Sequence, residues 1–225
     1  MSLWIKICAN TSLEDARLAV EAGADAVGFV FAPSPRRVTG PVVERIVPYL
    51  PKTVEKIGVF VDAPLYEVEA TIRACGLTGV QLHSDVGTEM PAKLRKTFGP
   101  GLRILRVLHF GADAGRDASA IAADGNIDAI LVDSRTAHAV GGTGLTFDWT
   151  QAAKTLFGEA KPLKHLVAAG GLRPENVAEA IRTLRPWGVD VVSGVEAAPG
   201  RKNPTSVRDF IANARAASRR SSTLS

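Results

Sequence analysis

Short β-branched runs alternate with amphipathic, alanine-rich stretches eight times along this 225-residue chain. The runs predict strands at 4–8, 26–31, 56–61, 78–82, 103–108, 127–133, 164–168 and 189–193. Between and after them, helical spacing predicts helices at 12–22, 40–50, 65–75, 89–98, 116–123, 148–157, 174–185 and 205–217. The first helix carries its own start and stop signals. Thr11 or Ser12 can cap it, Glu14 and Asp15 stand in its first turn, and Gly23 ends it. Its apolar positions Leu13, Ala16, Ala19 and Val20 line one face. Pro41, Pro64, Pro91, Pro174 and Pro204 each fall near a predicted helix start, where a missing N–H costs nothing.

Strands alternating with helices pair in parallel through crossovers. Eight units at about 28 residues each predict an α/β fold, a single-domain (β/α)8 TIM barrel, slightly below the usual size of roughly 250 residues. An open doubly wound sheet would have fewer strands and an early glycine-rich turn, and neither is present. The barrel is expected over residues 1–218, with 219–225 a frayed basic and serine-rich tail.

Composition narrows the function. Apolar residues make up 46% and charged residues 22%, an ordinary globular balance. No run approaches the roughly 20 apolar residues of a membrane span, and the amino terminus enters a strand with no signal-peptide pattern. The expected setting is therefore cytoplasmic, without membrane attachment. Cys8 and Cys75 form no disulfide framework. The net charge is +4, but the basic residues are scattered and aromatics are only 6%, which argues against a nucleic-acid partner. A modest positive balance suits an anionic small molecule.

The candidate chemistry lies at strand ends. Cys8 falls where the first strand runs out, the end at which barrels collect their active groups; its plain alternative is a small packed hydrophobe. With Cys8 pointing inward, strand alternation also turns Lys6 and Trp4 inward. A lysine inside a barrel either pairs, with Asp190 of the last strand as the expected partner, or snorkels to the bottom opening. Asp133 ends strand six below a long glycine-rich loop, 134–144, and reads as a site acid or a loop anchor. Arg36, in the loop after strand two that Pro33 and Pro35 hold, is a candidate clamp for a substrate carboxylate or phosphate, whereas Arg37 reads as solvated. Gln81 and His83 share one face at the end of strand four. His83 makes no metal-ligand spacing with the other histidines, so no metal is expected. Glycine clusters at Gly141-Gly142-Thr143-Gly144, Ala169-Gly170-Gly171 and Ser193-Gly194 predict a phosphate cradle, the last two directly after strands seven and eight.

Taken in order, these segments resemble phosphoribosylanthranilate isomerase over nearly the whole chain. The matching stretches are Lys6-Ile7-Cys8, Gly28-Phe29-Val30-Phe31 with Ser34-Pro35-Arg36, Gly58-Val59-Phe60-Val61, and Val80-Gln81-Leu82-His83. Asp133-Ser134, Gly141-Gly142-Thr143-Gly144 with Phe147-Asp148-Trp149, Ala169-Gly170-Gly171-Leu172, and Val189-Asp190-Val191 with Ser193-Gly194-Val195-Glu196 continue the set. The resemblance implies an Amadori rearrangement of N-(5-phosphoribosyl)anthranilate in tryptophan biosynthesis, without metal or cofactor, by a monomer or homodimer. It implies that Cys8 is the general base and Asp133 the general acid, and that Arg36 lies near the anthranilate. His83, Asp190 and Glu196 would line the pocket, and Gly142, Gly170, Gly171, Ser193 and Gly194 would hold the phosphate. Ala9 and Ser84 stand where the family usually has glycine, and Asn203 where aspartate is frequent. A related histidine-pathway or dual-substrate isomerase would have an aspartate at Cys8, and a Schiff-base aldolase a lysine at Asp133. A binding module without turnover is the non-enzymatic alternative.

Overall fold

A computed structural model of the chain describes residues 3–83, 87–111, 113–133, 149–157 and 165–221. Its strands are β1 (Trp4–Ile7), β2 (Ala26–Val30), β3 (Glu55–Phe60), β4 (Gly79–Leu82), β5 (Arg103–His109), β6 (Ala129–Asp133), β7 (His165–Ala169) and β8 (Gly188–Val191). They pair in parallel in sequence order, and β8 closes on β1 with Lys6 opposite Asp190. The expected (β/α)8 barrel is the observed one.

Strand alternation explains where the core sits. Inward residues Trp4, Ala26, Ile57, Leu105, Val107, Ala129, Leu131, Val167 and Ala169 form one apolar cluster. Ile5, Ile7, Val27, Phe29, Val189 and Val191 instead join the layer that packs against the helices. At the bottom, residues just before three strands each cap the N–H of the preceding strand. Asp25 accepts from Ile5, Thr78 from Lys56 and Asp128 from Ile104, at 2.7–2.8 Å.

The outer helices are α1 (Leu13–Glu21), α2 (Gly40–Glu44), α3 (Leu65–Cys75), α4 (Glu89–Phe98), α5 (Ala114–Ala123), α6 (Trp149–Thr155), α7 (Val177–Leu184) and α8 (Pro204–Ser221). Ser12 is the α1 cap, accepting from the Asp15 N–H at 3.1 Å. The predicted 40–50 helix is shorter, ending at Glu44 before a 3-10 turn at Val47–Tyr49. Pro48 is the reason, since it has no N–H for the Glu44 carbonyl and its ring crowds that group. Two short strands that the periodicity did not predict, β9 (Glu196–Ala198) and β10 (Arg201–Lys202), form a hairpin between β8 and α8. Asn203 caps α8 through its side chain, accepting from the Ser206 N–H at 3.0 Å. The last helix continues to Ser221, beyond the predicted 217. No helix among the described residues is long and apolar enough to cross a membrane.

Candidate active site

Cys8 follows β1 directly, buried, with its N–H bonded to the Val191 carbonyl at 2.9 Å. It therefore stands at the carboxyl-terminal mouth of the barrel. Gly28 on β2 leaves it room: a Cβ there would lie 2.4 Å from Cys8 Sγ and 3.1 Å from Lys6 Cε. Ala9, the next residue, is in the left-handed region at φ 60° and is fully buried. An alanine pays about 1–2 kcal/mol there relative to the right-handed region, which burial of its methyl offsets by about 0.8 kcal/mol. Asn10 ties this turn down, its amide donating to the carbonyls of Ile7 at 2.8 Å and Gly28 at 3.2 Å.

Below the thiol, Lys6 pairs rather than snorkels. Its Nζ is 2.7 Å from Asp190 Oδ1 and 2.8 Å from Gln81 Oε1, with no exposed surface. The way down is shut by Trp4, stacked on Trp187 at 5.2 Å, which in turn stacks on His165 at 4.3 Å. Burial alone would lower the Lys6 pKa; Asp190 and Cys8 outweigh it and hold it above the usual lysine value. The Gln81 amide continues the chain to His83, its Nε2 donating to the ring Nε2 at 2.9 Å. A neutral His83 so bonded carries its proton on Nδ1.

Burial also pushes the Cys8 thiol up. Lys6 and Lys202 pull it down, Asp190 adds to the rise, and the balance lies above the usual thiol value.

Above the mouth, Arg36 and Glu196 meet. The guanidinium Nε and Nη2 grip the carboxylate at 2.7–3.0 Å. Sequence placed both residues in the pocket but not in contact; β9 folding back over the β2 loop brings them together. Burial would raise the Glu196 carboxyl, but Arg36, Lys202 and the Gly200 N–H hold it below the usual range. Among the described residues, the Glu196 contacts engage Arg36 Nε and Nη2 but not Nη1.

Asp133 ends β6, buried, in register with His109 and Ala169, and its carbonyl accepts from the Phe110 N–H at 3.0 Å. It is on the same rim as Cys8, three strands away. After β7, Gly170 and Gly171 take φ of 81° and 65° in succession, a turn that glycine alone enters cheaply. After β8, Ser193 opens a 3-10 turn, Ser193–Val195. Gly194 lies against the β7 loop so closely that a Cβ would be 1.9 Å from the Leu172 carbonyl oxygen. The two late glycine clusters are thus one packed unit. Gly142 and Ser84 lie outside the described residues. Among the described residues, no group of three or more His, Cys, Asp or Glu side chains is placed to hold a metal.

Sequence reasoning assigned nothing to Lys202. It is buried, and its Nζ donates to the Cys8 carbonyl at 2.6 Å. The nearby proline and glycine, Pro199 and Gly200, were the available signal for the hairpin that carries it. Cys75 is buried at the end of α3, with Sγ 3.6 Å from the Gly40 carbonyl, and packs there outside the site.

Comparison with known proteins agrees with this geometry. The family model described as N-(5'-phosphoribosyl)anthranilate (PRA) isomerase matches residues 5–213. The N-(5'-phosphoribosyl)anthranilate isomerase of Citrifermentans bemidjiense is 45% identical over 212 residues, 94% of this chain and 96% of its own. A crystal structure of the Thermotoga maritima enzyme superposes with a TM-score of 0.83 at 37% identity, covering 95% of this chain and 99% of that one. A structure of phosphoribosylanthranilate isomerase in complex with reduced 1-(o-carboxyphenylamino)-1-deoxyribulose 5-phosphate gives 0.80 at 35% identity, with the same coverage. With a thiol and a carboxyl on one rim of the barrel, and these matches over more than nine-tenths of its length, the chain belongs to the N-(5'-phosphoribosyl)anthranilate isomerase family.

Proposed function

We propose that Cys8 and Asp133 are the base and acid with which this isomerase converts N-(5-phosphoribosyl)anthranilate to 1-(2-carboxyphenylamino)-1-deoxyribulose 5-phosphate. The observation that carries the assignment is the buried Cys8 thiol at the barrel mouth, flanked by lysine charge, with Asp133 on the same rim. Ring opening needs a proton on the furanose oxygen, which a sheltered carboxylic acid at Asp133 supplies. The iminium so formed acidifies the adjacent carbon. Cys8 then removes that proton, and the enolamine tautomerises to the ketone.

The lysine charges beside Cys8 support its acting as a thiolate base. The iminium brings a further positive charge next to Lys6 and Lys202, so the thiolate is favoured when it is needed. Arg36, braced by Glu196, offers its remaining Nη1 to the anthranilate carboxylate. The packed glycine turns at Gly170, Gly171, Ser193 and Gly194 would hold the phosphate through backbone N–H groups, with Gly142 of the β6 loop as a further contact. His83, oriented by Gln81, and Asp190, paired to Lys6, complete the polar wall. A cytoplasmic setting belongs to the same proposal, because the base must remain a reduced thiol and both cysteines are free. The working unit is a monomer or homodimer.

Purified protein should consume fluorescent phosphoribosylanthranilate with saturation kinetics and restore growth of a tryptophan auxotroph lacking this step. Saturable binding with no turnover would replace the enzyme reading with that of a phosphosugar-binding barrel.

A further inference from the structure

One buried cation enters the steps above only through its charge, and its contacts show a further role. Lys202 on β10 is cut off from solvent, although lysines ordinarily snorkel to water. A buried ammonium is costly unless it is anchored, and this one has two anchors. Its Nζ donates to the Cys8 carbonyl at 2.6 Å and lies 3.4 Å from Glu196 Oε1. Its own backbone N–H is bonded to Asp15 Oδ1 of α1 at 3.2 Å.

Both peptide groups of Cys8 are therefore fixed from outside β1, the N–H by Val191 of β8 and the carbonyl by Lys202. The second contact bears on the strained position, since the Cys8 carbonyl is part of the peptide leading into left-handed Ala9. The charges around the thiol sort as follows. Lys6 from β1 is matched by Asp190 from β8 at 2.7 Å, with Gln81 of β4 and His83 just after it extending that network. Glu196 from β9 is matched by Arg36 at 2.7 Å, leaving Lys202 at the longer distance of 3.4 Å. Asp15 meets the Lys202 backbone, and Asp133 stands on the rim at β6. Lys202 thus lies farther from its carboxylate than Lys6 does from Asp190, and burial holds it below the usual lysine value.

We propose that Lys202 is a positioning residue for the rearrangement: it holds the Cys8 peptide in place and tilts the thiol toward thiolate, acting through Cys8 without touching substrate. This rests on Cys8 being the base. The test is the pH dependence of kcat/KM from about pH 6 to 10 for Lys202→Met, Lys202→Gln and Lys202→Arg, with Cys8→Ser alongside. The acid-side limb reports the base in the free enzyme. Removing a cation disfavours the thiolate, so the limb should move up by about one unit in the Met and Gln variants, a roughly tenfold loss below it. KM should stay within about twofold, and Lys202→Arg, which keeps the charge, should keep the wild-type limb. Should Lys202→Met fail to fold, Lys202→Gln, which retains a donor for the Cys8 carbonyl, decides alone. An unmoved limb in Lys202→Gln, with Cys8→Ser inactive, overturns the role of Lys202 and leaves the base intact. Wild-type turnover in Cys8→Ser overturns the base assignment and this inference with it.

Discussion

Gly28→Ala adds one methyl group to the inner face of β2, and its surroundings define the outcome. The new Cβ would be 2.4 Å from Cys8 Sγ and 3.1 Å from both Cys8 Cα and Lys6 Cε. Non-bonded contact requires about 3.5 Å or more, so the thiol must retreat by roughly 1 Å or turn to another rotamer. Overpacking of this kind costs about 1–3 kcal/mol, which in a barrel of this size lowers Tm by about 2–12 °C. The larger effect falls on chemistry, because a base misplaced by about 1 Å loses about 10²-fold in rate. Steady-state assays on phosphoribosylanthranilate should therefore show kcat down about 10²-fold with KM within about threefold. In a Cys8→Ser background, the same substitution should cost less than about threefold more, since both act through one group. A folded Gly28→Ala protein with wild-type kcat, or losses that multiply in the double variant, would refute the placement of the base.

Other consequences follow from the same structure. Lys6→Met leaves Asp190 buried without its cation and should cost about 3–5 kcal/mol by chemical denaturation, whereas Lys6→Met/Asp190→Asn should recover about half of that; strictly additive losses would contradict the pair. Gly194→Ala drives a methyl into the Leu172 carbonyl and should raise KM about tenfold, equivalent to one lost charge-assisted hydrogen bond of about 1.5 kcal/mol; an unchanged KM would remove this turn from the phosphate site. Stability should fall on the alkaline side. Cys8 and Lys6 are raised in the folded state and Cys75 is pushed up to about 11 from 9.0. At these groups the unfolded chain binds fewer protons than the native one above pH 9, so their contribution to the unfolding free energy declines with pH. The urea midpoint should drop between pH 8 and 11, less so in Cys75→Ala; a flat profile would contradict burial of these thiols.

Much of this fold could be read because its two periods are distinct: inward alternation on strands predicted that Trp4, Lys6 and Cys8 share one face. From that, the Lys6–Asp190 pair needed only the closure of strand eight on strand one. The alternative of snorkelling failed for a reason sequence does not show, the Trp4–Trp187–His165 stack that shuts the bottom. The β9–β10 hairpin is not legible in the sequence, because strands of three and two residues carry no measurable alternation. With it went the Arg36–Glu196 contact, 160 positions apart, and the burial of Lys202. A lone lysine in a polar stretch reads as solvated until tertiary structure covers it. Ala9 shows the converse: its position beside Cys8 was noticed, but its left-handed backbone appears only in three dimensions.

In the proposed mechanism a thiol and a carboxyl on one rim share the proton transfers. The most direct measurement is the turnover number of Cys8→Ser and Asp133→Asn, each determined beside its affinity for the reduced product analogue. Each should lower kcat by about 10²–10⁴ while the analogue binds within a few-fold of wild type. Near-wild-type kcat in either variant would contradict the claim and remove that residue from the chemistry.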